Sequence, residues 1–190
     1  DHLSDKPDSM QISFEAPKEY KVISNGSFVR SEKMKKGYRK HVWFVHYPIN
    51  NYNVTFYLGR FAHFSDTLYC GNDLLDIQYY VLPYNLDTAK KYFAQTKNVL
   101  RTFNSIFGCY PFMKDKFALI ESPYSGMEHQ NAIAYGNGYG EQYRHYFSKD
   151  DDYIIIHETA HEWWGNSISA GDLAESWIHE SFATYAELLY

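Results

Sequence analysis

The sequence predicts an α+β chain in which an all-β stretch leads and a mixture of strands and helices follows. Three observations carry this. Residues 10–64 break into short β-rich runs separated by turn residues, and from about Leu74 strand-like runs alternate with segments of helical periodicity. At 190 residues, 45% apolar and 22% charged, the chain can bury one substantial core or two small ones. The division is placed near residue 70, giving a β unit over 1–70 and a mixed unit over 71–190.

Taken in order, strands are expected at residues 10–14, 21–24, 42–46 and 54–64, with a turn at Asn25-Gly26. A further strand at 74–82 ends at Pro83. Between residues 87 and 107, Ala89, Tyr92, Phe93, Val99, Leu100, Phe103, Ile106 and Phe107 recur on one helix face, and Gly108 stops the run. Residues 117–120 and 132–135 read as strands, and the turn-rich stretch 122–131 between them suits a functional loop or strand edge. Ser148 followed by Asp150, Asp151 and Asp152 predicts a helix start, because carboxylates sit well against the positive end of the dipole. That helix is expected over 150–164, stopped by Gly165, with a second from about Asp172 to the chain end.

Composition excludes several classes. A formal charge of -5 and no Lys/Arg run give no electrostatic footprint for nucleic acid. No stretch approaches the ~20 apolar residues of a membrane span, and the polar first eight residues do not read as a signal peptide. Neither compartment nor oligomeric state follows. Cys70 and Cys109 are too few for a disulfide framework or a cysteine metal site; they are read as free thiols, with a bridge as the alternative. Two N-x-S/T sequons begin at Asn25 and Asn53 and matter only in a glycosylating host. The 19 tyrosines suit packing in aromatic-rich sheets.

The chemistry concentrates in His157-Glu158-Thr159-Ala160-His161. Two imidazoles four residues apart lie one helical turn from each other and can face one zinc ion. Glu158, rotated about 100° round the helix, is free to take a proton from the attacking water as general base. A catalytic zinc needs a third protein ligand, and Glu180 on the second expected helix is the candidate. The bland alternative is a solvated helix with His and Glu in casual contact. His179 faces another way and reads as packing or support. Glu187, two turns beyond Glu180, is a candidate partner for a ligand imidazole, or else a surface carboxylate.

These residues resemble the zinc aminopeptidases of the membrane-alanyl aminopeptidase and leukotriene A hydrolase type, which are gluzincins. Their signature H-E-x-x-H, then eighteen residues, then E, is reproduced from His157 to Glu180, with Trp163, Gly165 and Asn166 following as in many members. The W-x-x-E-G-F-A motif is matched by Trp177-Ile178-His179-Glu180-Ser181-Phe182-Ala183, with Ser181 in place of Gly. G-x-M-E-N is matched by Ser125-Gly126-Met127-Glu128-His129, which keeps Met-Glu but changes the first Gly and the final Asn.

The resemblance implies the end of an N-terminal β domain followed by the first part of a thermolysin-like domain, in a fragment of a larger enzyme. A further amino-group ligand is then expected upstream of residue 1, and an oxyanion-stabilising tyrosine downstream of residue 190. It implies one zinc ion, peptide substrates with a free N-terminus, Glu128 pairing with the substrate ammonium, and Gly126 and Met127 offering backbone to the substrate. His129 takes over part of the Asn role. The rivals are an endopeptidase or epoxide hydrolase on the same site, favoured by the changes at Ser125 and His129, and a non-catalytic zinc-binding protein, disfavoured by Glu158.

Overall fold

The computed structural model describes residues 3–140 and 151–190. In chain order it holds β1 (Met10–Pro17), β2 (Lys21–Ser24), β3 (Ser27–Lys33), β4 (Tyr38–Val45), β5 (Phe56–Gly59), β6 (Ala62–Cys70), β7 (Asp73–Val81), α1 (Leu86–Tyr92), α2 (Thr96–Phe107), β8 (Phe117–Glu121), β9 (Gly126–Met127), β10 (Ile133–Tyr135), α3 (Tyr153–Ala160) and α4 (Trp177–Leu189). The class is α+β. A three-stranded antiparallel sheet β1-β4-β3 and a two-stranded ribbon β2-β5 form the leading β region. The five-stranded sheet runs β6-β7-β8-β10-β9, parallel at its centre and antiparallel at both edges.

The central strands are buried on both faces, which explains their unbroken apolar runs. Phe117, Leu119, Ile133 and Tyr135 pack towards the helices with Phe93, Leu100, Phe103, Ile155 and Ile156. Ala118, Ile120, Ala132 and Ala134 pack the other way, against Ile23, Trp43, Tyr57 and Phe61 of the β region. Each successive side chain crosses the sheet, so one strand serves two cores.

Several expectations change. Residues 54–64 form two strands, because the chain switches partners: β5 pairs with β2, and β6 with β7. β3 carries no apolar strand pattern because it is a charged, exposed edge with Arg30, Glu32 and Lys33 and a register shift between Phe28 and Arg30. β6 precedes residue 70 yet pairs with β7, so the large sheet draws strands from both sides of the expected division. The helix at 87–107 is α1, a 3-10 turn over Phe93–Gln95, and α2, along which Ala89, Phe93, Thr96, Val99, Leu100 and Phe103 stay buried. Cys70 and Cys109 are bridged rather than free: β6 ends beside the chain leaving α2, with their Cα atoms 5.8 Å apart.

The site helices also shift. α3 starts at Tyr153, capped by Asp152, whose carboxylate accepts from Ile154 N at 3.0 Å; Ser148, the expected cap, lies outside the described residues. α3 ends at Ala160 rather than residue 164. Beyond His161 the chain widens into bonds that reach five residues back, Asn166 N to His161 O at 3.0 Å, Ser167 N to Glu162 O at 3.1 Å and Ile168 N to Trp163 O at 3.0 Å. The second helix begins as a 3-10 turn, Leu173–Glu175, capped by Asp172, and becomes α4 at Trp177. No helix among the described residues is long and apolar enough to cross a membrane.

Candidate metal centre

α3 packs between the large sheet and α4, so His157 on the helix and His161, its C-cap, come up to Glu180 on α4. His157 Nε2 lies 3.2 Å from His161 Nε2 and 3.2 Å from Glu180 Oε2, and His161 Nε2 lies 3.5 Å from Glu180 Oε1. Atoms bound tetrahedrally at about 2.0–2.1 Å from one zinc ion stand roughly 3.3 Å apart. The three side chains therefore already show the spacing of a zinc ligand set.

The other nitrogen of each ring is occupied. His157 Nδ1 lies 2.6 Å from Glu187 Oε1, and His161 Nδ1 lies 3.0 Å from the Trp164 carbonyl. With Nδ1 as the donor to these acceptors, each Nε2 faces Glu180 and is the atom at which a proton or a cation binds. Glu187, placed by sequence two turns from Glu180, thus meets a ligand candidate directly.

Electrostatically the cluster attracts positive charge. Burial works against a charged His157, but Glu180 and Glu187 outweigh it and lift the imidazole to about 10. His161 is likewise buried, and is raised by Glu180 and Glu128. The two imidazoles in turn hold the Glu180 carboxyl well below the usual range. Protons and a divalent cation compete for the same lone pairs, so a two-imidazole, one-carboxylate set with a strong preference for positive charge fits zinc.

Glu158 sits beside this set, 6% exposed, and burial pushes its carboxyl up to about 7 against the pull of both imidazoles. The space it needs depends on Gly126: a Cβ there would overlap Glu158 Oε1 and crowd Ile154 Cγ2. β9 is the edge of the sheet, paired only to β10 among the described strands, and it lies against α3 through this glycine. Glu128 follows β9, and each of Glu128, Glu158 and His161 places one ligand-type atom within 4.8 Å of the others. Met127 turns its side chain into the cluster of Ile23, Trp43 and Tyr57, leaving its backbone at the edge. His129 meets Tyr57, Nδ1 to OH at 3.0 Å, and His179 accepts from Ala170 N at 2.8 Å through Nε2.

Other buried groups beside the site carry little or no signal in the sequence. Glu162 is fully buried, accepts from Asn131 N at 2.8 Å and from the Tyr110 hydroxyl at 3.1 Å, and is pushed up to about 8 by burial. Its signal in the sequence is slight, an acid set between His161 and the aromatic pair Trp163-Trp164. Tyr52, from a 3-10 turn in the β region, is raised by burial and by the Glu128 carboxylate. Nothing in its local sequence marks it.

Residues 84–190 match the Peptidase family M1 domain. Glutamyl aminopeptidase of Mus musculus is 27% identical over 191 residues, covering 97% of this chain and 20% of that protein. Aminopeptidase M1 of Arabidopsis thaliana is 26% identical, covering 95% of this chain and 21% of that protein. Among solved structures, the M1 zinc metallopeptidase from Deinococcus radiodurans superposes with a TM-score of 0.80 at 21% identity, over 100% of this chain and 41% of that one. The chain thus spans about one fifth of the length of these curated relatives.

Proposed function

This chain belongs to peptidase family M1, and from that premise we propose that the full-length protein is a zinc aminopeptidase that removes residues from the N-terminus of peptides. His157, His161 and Glu180 hold the ion, Glu158 is the general base, and Glu128 anchors the substrate's ammonium. The observation that carries this is the convergence of the three side chains, 3.2 Å between the two Nε2 atoms, 3.2 Å from His157 Nε2 to Glu180 Oε2 and 3.5 Å from His161 Nε2 to Glu180 Oε1, with each ring's second nitrogen already engaged.

A zinc ion there supplies Lewis acidity, polarising a carbonyl and acidifying water. Glu158 takes the proton of the attacking water and passes it to the leaving amine; burial, which raises its carboxyl, makes it a better proton acceptor than an exposed glutamate. Glu187 and the Trp164 carbonyl keep His157 and His161 in one tautomer and one orientation. The open backbone of Gly126 and Met127 at the sheet edge is suited to pair with an extended peptide. Glu128 then meets the free ammonium and closes the cleft to any residue further upstream.

The test is hydrolysis by the zinc-loaded full-length protein of one peptide with a free N-terminus and of its N-acetylated form. Cleavage of the free peptide alone is expected. Equal cleavage would overturn the role of Glu128 in favour of an endopeptidase, and no cleavage with zinc bound would favour a non-catalytic zinc protein.

A further inference from the structure

Glu128 lies between two short strands, β9 ending at Met127 and β10 beginning at Ile133. Its stretch is held by amides from other parts of the chain. Asn166, on the widened turn after His161, is fully buried and donates Nδ2 to the Glu128 carbonyl at 2.8 Å. Asn53, on the 3-10 turn Asn51–Asn53 of the β region, is also fully buried and donates Nδ2 to Asn166 Oδ1 at 2.6 Å.

The direction of this relay is fixed by its last member. A carbonyl only accepts, so Asn166 must turn its NH2 to Glu128 and its oxygen to Asn53, and Asn53 must supply an NH2. Asn25 steadies the other end: its Nδ2 donates to Asn53 O at 2.9 Å and to Gln130 O at 2.7 Å, and its oxygen accepts from Thr55 N at 2.7 Å. On the far side Asn131 N donates to Glu162 Oε1 at 2.8 Å, next to His161 in sequence.

We infer that Asn53 is a positioning residue for Glu128: from the β region it holds Asn166, on the turn that follows the second imidazole, in the orientation that grips the backbone of the amino-group anchor. This rests on the reading of Glu128 as that anchor. A carboxylate between short strands reaches a substrate ammonium in register with the metal donors only if its backbone is held to a fraction of an ångström. Buried amides do this well, because each alternative arrangement leaves a polar group unpaired away from water.

The experiment compares full-length wild type, Glu128→Gln and Asn53→Asp on the free and N-acetylated peptides, with zinc content and melting temperature measured alongside. Asn53→Asp keeps the size of the side chain but sets a carboxylate against Asn166 Oδ1. The expected result is a KM for the free peptide raised on the order of tenfold or more, a smaller change in kcat, unchanged zinc content, and a preference for the free peptide that falls towards that of Glu128→Gln. A loss of kcat with KM and preference intact would overturn the inference, since that is what a merely structural role produces. Failure of the underlying reading looks different: a wild type indifferent to acetylation overturns both at once, before any Asn53 variant is compared. If Asn53→Asp does not fold, Asn53→Ala, whose side chain has no donor for Asn166 Oδ1, is judged by the same two outcomes.

Discussion

Glu158 shows how much of the site is decided by single side chains. It is buried against Gly126, flanked by two imidazoles, and near enough to Glu128 and Glu180 that both raise its carboxyl. Replacing it with Gln keeps volume and shape but removes the group that accepts a proton. Glu158→Gln is therefore expected to retain zinc, measured by metal analysis, while turnover falls by about 10²–10⁴-fold. Substantial turnover in a zinc-replete variant would mean that another group is the base. At this scale the sequence was most legible where helical periodicity does the placing: His157, His161, Glu180 and Glu187 are brought together by steps of about one or two turns on two helices. It was least legible where a residue's meaning depends on a partner far away in the chain, as with Glu162, whose hydroxyl donor is Tyr110.

Secondary-structure elements were readable in proportion to how completely one face is buried. β8 and β10 lie between two cores and α2 buries a continuous stripe, so their apolar patterns stand out. β3, an exposed edge with mixed charges, carries no such pattern. The disulfide is legible only as the alternative to free thiols, since 39 residues separate Cys70 from Cys109 and only the packing of α2 on the large sheet brings them together. Closing a loop of that length stabilises the folded chain by about 4 kcal/mol, mainly by restricting the unfolded state. Thermal unfolding with and without reductant checks this: the oxidised protein should melt several degrees higher, whereas equal melting points would mean that the bridge adds nothing to stability.

The two halves of the molecule are joined by buried polar groups as well as by apolar ones. Tyr57 OH donates to Ala132 O at 2.8 Å, Gly26 N donates to Asn131 Oδ1 at 2.5 Å, and Lys116 donates Nζ to Ser24 O at 2.9 Å and to Gly26 O at 2.5 Å while lying over the Trp43 ring. None of these pairs is local, which is why the sequence suggested a division at residue 70 and no seam across it. Lys116 makes the seam sensitive to pH. Burial pushes its ammonium from the usual 10.5 down to about 7, although Asp115 and Glu162 act to hold the proton. Above about 7 the folded chain releases a proton that the unfolded chain keeps until about 10.5. The unfolded state then binds more protons, so this group makes stability rise with pH across that window and contributes no slope below it. Deprotonation does not break the seam, because a neutral amine still has two N–H groups for its two carbonyls. In Lys116→Met those carbonyls lose their donor, and the variant is less stable at every pH. The informative quantity is therefore the difference in unfolding free energy between wild type and Lys116→Met, in which the other titrating groups cancel. It is expected to be flat below about 7 and to grow steadily towards pH 10. A difference that stays constant over the whole range would mean that Lys116 keeps its proton in the fold, held by Asp115 and the face of Trp43.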